Sequence, residues 1–167
     1  MSRPEYDVKL LAFVSMKKVY ILCGPSGCGK STLAEKLGGL VLSTDDYHYN
    51  SSGTYVFQPD QLGKFHAQNL HRFIEECNAG NPCIIVDNTN ITNLERAPYY
   101  SVAKAFGYDV TITLFNPRSL DWRDHQALAL RNKHGVPLAA IRRQCEKFEA
   151  EIPLFWNASI NREIVRF

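Results

Sequence analysis

The chain has 167 residues, 45% of them hydrophobic and 22% charged, with a formal net charge of +2. These values are typical of one globular domain and exclude fibrous, low-complexity and disordered classes of protein. Its five cysteines are odd in number and lack C-x-x-C spacing, and no apolar run reaches membrane-spanning length. We therefore predict a cytoplasmic protein with reduced thiols and no membrane partner.

The first regular pattern begins after residue 16. Residues 1–16 are expected to form a poorly ordered N-terminal extension, with a short edge element as the alternative. A single domain is predicted over residues 17–167. Its first element is an apolar strand over Lys18–Cys23, which runs into the sequence Gly24-Pro25-Ser26-Gly27-Cys28-Gly29-Lys30-Ser31.

This run matches the phosphate-loop pattern G-x-x-x-x-G-K-[ST], with a strand before it and a helix-forming segment after it. Glycines let the backbone amides of such a loop surround a β-phosphate, and the following helix N-terminus adds positive potential. Lys30 is expected to neutralise β/γ-phosphate charge, and the Ser31 hydroxyl to ligate Mg²⁺. ATP and Mg²⁺ are therefore the predicted cofactors, and the predicted nucleotide contacts are Gly24, Pro25, Ser26, Gly27, Cys28, Gly29, Lys30, Ser31, Thr32 and Arg131.

The rest of the chain alternates apolar strands with longer amphipathic segments. This order predicts an α/β three-layer sandwich with a mostly parallel central sheet. Further strands are expected over 40–44, 83–86, 110–115 and 162–167, and helices over 30–37, 60–78, 93–105, 120–132 and 137–150. The last two helices form a predicted two-helix lid at about 118–150.

Acidic residues follow two of these strands. Asp87 ends the buried strand Cys-Ile-Ile-Val, where a carboxylate can hold a magnesium-bound water beside Ser31; a turn-forming aspartate is the alternative. Asp45 and Asp46 follow the short second strand, at the sheet edge where parallel sheets bind ligands. We expect one of them to be the general base for an acceptor hydroxyl and the other to face a helix cap or solvent.

Positive charge is concentrated late in the chain. Residues 118–147 carry seven Lys or Arg and three Asp or Glu, a net charge of +4. A solvated helix face and a phosphate-binding surface both explain such a cluster. Arg131 lies at the end of the first lid helix, from which a hinged helix pair can deliver charge to a transition state.

Three segments in this order resemble the polynucleotide 5′-hydroxyl kinase family of phage-type and animal end-healing enzymes and their single-domain relatives. The resemblance covers about residues 17–150 and implies a P-loop NTPase fold of the nucleotide-kinase type. The segments that carry it are Ser43-Thr44-Asp45-Asp46-Tyr47, Val86-Asp87-Asn88-Thr89-Asn90 and Leu130-Arg131-Asn132.

The resemblance implies Asp45 as general base, Lys30 and Arg131 as catalytic phosphate ligands, and Ser31 with Asp87 at the metal. It also implies that nucleic-acid 5′-hydroxyl ends are the partner and substrate, bound by Asp45, Tyr47, His48, Asp87, Thr89 and Asn90. The chain departs from the phage-type pattern at His48, where those enzymes have an arginine that grips a substrate phosphate.

Other functions stay open at this point. A small-molecule kinase acting on a sugar, nucleoside or nucleotide-sugar is the main alternative, because a fold does not set its acceptor. A nucleotide-dependent switch is a third class, which the sequence does not test. No D-x-D-x-T phosphatase motif and no paired H-x-T motifs occur, so neither 3′-phosphatase nor cyclic-phosphodiesterase activity is expected. The oligomeric state is not predicted.

Overall fold

Five parallel strands form one sheet in the computed structural model, which describes residues 16–163 and 165. Their order across the sheet is β2-β3-β1-β4-β5, so β1 lies in the centre. The strands are β1 (Lys18–Cys23), β2 (Leu40–Leu42), β3 (Cys83–Asp87), β4 (Asp109–Phe115) and β5 (Ser159–Glu163). The predicted α/β architecture with a parallel sheet is confirmed.

Helices cover both faces of this sheet. Alternate residues of β1 separate the two faces, because successive side chains of a strand point in opposite directions. Val19 and Ile21 join a core with α2 and α3, whereas Leu22 packs with Ala34 of α1. The result is a three-layer sandwich. Its helices are α1 (Lys30–Leu37), α2 (Leu62–Asn78), α3 (Asn93–Ala105), α4 (Trp122–Arg131) and α5 (Leu138–Lys147).

The two lid helices have a small core of their own. Leu128 of α4 and Ile141 and Cys145 of α5 are buried together with Cys28 and Phe115. Since Cys28 belongs to the loop after β1 and Phe115 ends β4, this cluster seats the lid directly on the loop. The observed α4 and α5 lie within the predicted lid segment.

The last strand begins earlier than predicted. It occupies Ser159–Glu163 and all five of its residues are exposed. It shares residues 162–163 with the predicted strand 162–167, of which residues 164, 166 and 167 lie outside the described residues. An exposed edge strand needs no apolar run, and the sequence Ser-Ile-Asn-Arg-Glu has none. The predicted N-terminal extension lies outside the described residues except for Met16. Among the described residues, no helix is both long enough and apolar enough to cross a membrane.

Candidate active site

The loop between β1 and α1 has the backbone of a phosphate cradle. Gly27 and Gly29 take the left-handed region with φ of 82° and 104°, which glycine adopts without steric cost. A side chain at Gly27 would also collide with the carbonyl oxygen of Leu128 in α4. Gly27 is therefore required both for the turn and for the close approach of the lid.

Lys30 and Ser31 lie at the first turn of α1, where the loop ends. The buried Lys30 ammonium donates hydrogen bonds to the carbonyl oxygens of Gly24 (3.0 Å) and Pro25 (2.9 Å). The Ser31 hydroxyl hydrogen-bonds to the Asp87 carboxylate at the end of β3. The structure thus brings Ser31 and Asp87, the two predicted metal ligands, close together.

The pair of Ser31 and Asp87 suits a magnesium ion that is completed by other ligands. Both supply oxygen atoms, the donor type that Mg²⁺ prefers, and Mg²⁺ commonly binds through one or two carboxylates plus phosphate and water. Among residues 16–163 and 165, no group of three or more His, Cys, Asp or Glu side chains could hold a metal ion. Burial raises the pKa of the Asp87 carboxyl, opposed by the Lys30 charge and the Ser31 hydrogen bond.

Asp45 and Asp46 lie in a short 3₁₀ helix over Thr44–His48, capped by the Ser43 side chain. Consecutive residues of a 3₁₀ helix point about 120° apart, and the two carboxylates diverge accordingly. Asp46 lies 3.6 Å from Arg72 of α2, and its partial burial raises the pKa of its carboxyl group.

Asp45 faces the lid and the loop that follows the 3₁₀ helix. Its Oδ2 lies 3.4 Å from Nε2 of His134, and its Oδ1 accepts a hydrogen bond of 3.3 Å from the Tyr55 hydroxyl. Asp45 and His134 also lie near enough to the Asp87 carboxyl to influence its pKa, so all three groups share one site. Sequence reasoning gave His134 no role in the site, because a single histidine in a lid turn has no distinguishing pattern.

A cleft of about 460 Å³ opens on the other side of the phosphate loop, within the range of roughly 300–1,000 Å³ typical of small-ligand sites. Four predicted nucleotide contacts line it, namely Cys28, Gly29 and Thr32 and, from the lid, Arg131. The remaining lining residues, which sequence reasoning missed, are Leu33, Lys36, Phe115, Arg162 and Glu163. Arg162 and Glu163 were missed because they lie on an exposed strand and belong to no motif.

The lid also contacts the phosphate loop through a side chain. Oε1 of Gln144 in α5 accepts a hydrogen bond of 2.8 Å from the backbone N–H of Ser26. Gln144 was also missed, because it lies between apolar positions of a helix and is not part of any motif. The phosphate loop therefore contacts the lid through the Ser26 N–H and also lines the cleft.

His48 does not reach the surface that a substrate would use. Its side chain is 1% exposed, and its ring lies 4.9 to 5.5 Å from the rings of Tyr55, Phe57 and Phe65. Its Nδ1 accepts a hydrogen bond from the backbone N–H of Gln58. We therefore correct the predicted role of His48 from substrate binding to packing of the loop. Tyr47 is partly buried and stacks on Phe65 at 5.8 Å.

Asn90 also has a structural position. It is 2% exposed, it has a positive φ of 44°, and its Nδ2 donates to the carbonyl oxygen of Leu22 at 2.7 Å. Its own carbonyl oxygen accepts from the buried Arg96 guanidinium. Asn90 thus joins the ends of β1 and β3, which corrects its predicted direct contact with substrate. Thr89 is partly exposed, and its carbonyl oxygen accepts from the Gly24 N–H at 2.8 Å.

Comparisons with solved structures agree with the fold. A gluconokinase from Sinorhizobium meliloti 1021 superposes with a TM-score of 0.56 at 16% identity, covering 90% of this chain and 83% of that one. The Pnkp1/Rnl/Hen1 RNA repair complex contains a chain that superposes with a TM-score of 0.56 at 18% identity, covering 79% and 44%. At these identities the similarity establishes a P-loop kinase-like fold and leaves the acceptor open.

Sequence comparison gives a nearer relative and a family. NEDD4-binding protein 2 from Homo sapiens is 35% identical over 154 residues, which covers 87% of this chain. The chain spans only 8% of the length of that relative. A family model described as AAA domain matches residues 19–151, which is more than half of the chain. This chain therefore belongs to that AAA domain family.

Proposed function

We propose that this chain is an ATP-dependent polynucleotide 5′-hydroxyl kinase, which transfers the γ-phosphate to a 5′-hydroxyl end of RNA or DNA. One observation carries the proposal. Asp45 lies in the same site as Asp87 and Ser31. Within its own segment, the Asp45 carboxylate neither pairs with a cationic side chain nor caps a helix. This is the position that a phosphotransferase needs for the base that engages its acceptor.

The order of groups along the sheet supports a transfer reaction. The cleft lies on the β4–β5 side of the phosphate loop, where Phe115 and Glu163 line it. Asp87 and Asp45 follow β3 and β2, on the opposite side. A nucleoside in the cleft would place its phosphates along the loop and its terminal phosphate toward the acids. Donor and acceptor thus approach the loop from opposite sides.

The proposed reaction moves one proton and one phosphoryl group. The acceptor hydroxyl gives its proton to Asp45 as its oxygen forms a bond to the γ-phosphorus. The bond between that phosphorus and the β–γ bridging oxygen breaks, and ADP leaves. Lys30 and Arg131 offset the charge on the phosphate oxygens. Ser31 and Asp87 would hold Mg²⁺, which neutralises phosphate charge when bound.

Two features support a polynucleotide acceptor. The basic segment 118–147 forms the lid, where Arg143 and Lys147 are exposed to the phosphates of a nucleic acid, as is Arg142, which pairs with Glu146 at 3.0 Å. The loop beside Asp45 exposes about half of Tyr49 and Phe57, at 49% and 53%. Exposed aromatic rings of this kind can stack on terminal bases. The structural similarity to a chain of an RNA repair complex is consistent with this acceptor.

A small-molecule kinase is the second candidate. The similarity to a gluconokinase covers most of both chains, and the position of the substrate-gripping arginine is held by the buried His48. The scaffold itself is compatible with either acceptor. Only the chemistry of the acceptor separates the two functions.

The deciding experiment offers γ-labelled ATP and Mg²⁺ with 5′-hydroxyl RNA and DNA oligonucleotides, nucleosides and sugars, at low and high salt. We expect transfer to an oligonucleotide that weakens as salt rises, because lysine and arginine contacts to phosphates release counterions. Asp45→Asn serves as the matched inactive control. Transfer to a sugar or nucleoside with none to any oligonucleotide would overturn the polynucleotide function and favour the small-molecule kinase.

A further inference from the structure

We propose that His134 is a positioning residue, through which the lid holds the Asp45 carboxylate in its working orientation. The proposal rests on the proposed function, since it assigns Asp45 the role of acceptor base. It adds a residue that neither the motifs nor the comparisons assign. It also makes the lid part of the acceptor site as well as of the nucleotide cleft.

The turn that carries His134 is held rigidly by its neighbours. Nδ2 of Asn132 donates to the carbonyl oxygens of Ala129 (2.6 Å) and Val136 (3.3 Å), and its Oδ1 accepts from the Val136 N–H at 2.7 Å. Gly135 takes a positive φ of 64°, which closes the turn. His134 is therefore fixed relative to α4 and moves with the lid.

The His134 imidazole and the Tyr55 hydroxyl each contact a different carboxylate oxygen of Asp45. Nε2 of His134 lies 3.4 Å from Oδ2, and the Tyr55 hydroxyl donates to Oδ1 at 3.3 Å. The rings of Tyr55 and His134 also lie 4.4 Å apart with 32° between their planes. Burial and the Asp45 charge raise the pKa of Tyr55, which keeps its hydroxyl protonated as a donor. Side chains from two other segments thus converge on the Asp45 carboxylate.

Tyr55 is packed within the loop that follows the 3₁₀ helix of Asp45. It forms an antiparallel bridge with Tyr49, and its ring packs 5.4 Å from the Tyr49 ring and 5.5 Å from His48. This loop is covalently continuous with the 3₁₀ helix that carries Asp45. Of the two side chains that contact the Asp45 carboxylate within the described residues, His134 therefore comes from a different structural unit, the lid.

The same lid reaches the nucleotide side of the site. Arg131 lines the cleft, and Gln144 accepts from the Ser26 N–H of the phosphate loop. A lid seated over the loop therefore places His134 beside Asp45 at the same time. Such coupling makes the base competent only when the nucleotide side is closed. Misplacement of a catalytic group by about 1 Å can cost about 100-fold in rate.

The test compares three substitutions of His134 in the transfer assay. We expect His134→Ala and His134→Phe to lower kcat by about 10- to 100-fold while the KM for ATP changes by less than about twofold. The phenylalanine keeps a ring beside Tyr55 but has no donor. His134→Gln restores a side-chain N–H and is expected to recover part of the loss. Leu130→Ala, 87% exposed on the same lid, is the matched control.

Two results of this comparison would overturn the proposal. The first is wild-type kcat in His134→Ala, or an effect on KM for ATP alone. The second is an equal loss in all three variants, because a donor would then have no part in the effect.

A second measurement needs no acceptor and separates this proposal from the proposed function. A double-mutant cycle combines His134→Ala with Asp45→Asn and follows urea unfolding. Non-additive effects are expected if the two side chains interact, and strictly additive effects would overturn the positioning role. A non-additive cycle combined with no transfer to any oligonucleotide would count against the polynucleotide function and not against the contact.

Discussion

Asn88 holds Thr44 by two hydrogen bonds to a single oxygen. The backbone N–H and the hydroxyl of Thr44 both donate to Oδ1 of Asn88, each at 2.8 Å. Asn88 follows Asp87, and Thr44 precedes Asp45. This link therefore fixes the spacing between the two acids that the proposed function requires. Nδ2 of Asn88 completes the arrangement by donating to the Tyr99 hydroxyl at 3.3 Å.

Asn88→Ala is expected to lower both stability and turnover. The substitution leaves the buried N–H of Thr44 without its acceptor and leaves the Thr44 hydroxyl with the longer 3.4 Å contact to Nδ1 of His66. This should reduce the free energy of unfolding by about 1–3 kcal/mol. Because Asp45 then loses its fixed distance from Asp87, kcat should fall even where the protein remains folded. Urea unfolding and the transfer assay measure the two effects. Gln68→Ala, exposed on α2, is the control, and wild-type turnover in Asn88→Ala would contradict this role.

Asp45 and Asp46 should differ sharply when each is changed to asparagine. Asp45→Asn removes the proposed base and should lower kcat by about 10²–10⁴, with little change in ATP affinity. Asp46→Asn affects a half-exposed ion pair with Arg72, so only a small effect is expected. Steady-state kinetics of both variants make the comparison. Equal losses would mean that the base is not Asp45.

The sheet, the phosphate loop and the approximate lid could be predicted from the sequence, whereas several contacts of the site could not. Strands β1 and β3 contain apolar runs and β4 is largely apolar, because most of their residues are buried, and this leaves a clear pattern. β5 leaves no such pattern because it is exposed. The burial of His48 depends on aromatic rings brought together from different segments. The local spacing of residues in the sequence does not indicate such a contact.

The same limit applies to the acceptor side of the site. The adjacent acids were expected to diverge, but the 3₁₀ helix that makes them do so was not predicted. The partners of Asp45 come from positions 10 and 89 residues further along the chain. The His134 contact depends on how the lid packs on the rest of the domain, and that packing involves Leu128 and Phe115.

Lys30→Ala should abolish transfer without unfolding the protein. Within the part of the chain that the structure describes, the Lys30 ammonium donates to carbonyl oxygens of its own loop and lies 3.8 Å from the sulfur of Cys28 in the same loop. Its loss should therefore cost little stability, whereas β/γ-phosphate charge would go unneutralised. A circular-dichroism melt and a radiolabel transfer assay on one preparation test both statements. Retained turnover would remove Lys30 from the mechanism.

Arg131 is expected to act on the transition state more than on bound ATP. It lines the cleft from the end of α4, so its position depends on the lid. Arg131→Ala should lower kcat more than it raises the KM for ATP. Arg131→Lys should recover little, since a point charge cannot reproduce the planar fork on phosphate oxygens. A change in KM alone would make Arg131 a binding residue.

The thiols should resist alkylation in the folded protein. All five cysteines are free, and burial raises the pKa of Cys23 to about 12 and the pKa values of Cys77 and Cys145 to about 11. At pH 9 a thiol of pKa 11 is about 1% thiolate, the reactive form. The partly exposed Cys83 should therefore react before the others.

Iodoacetamide labelling at pH 9, read out by peptide mass spectrometry, follows each cysteine separately. Labelling in urea is the control and should reach all five sites quickly, because unfolding removes the burial that raises each pKa. In the folded protein we expect Cys83 to be modified first and Cys23 last. Rapid modification of Cys23 without unfolding would show that β1 is not closed into the core as described.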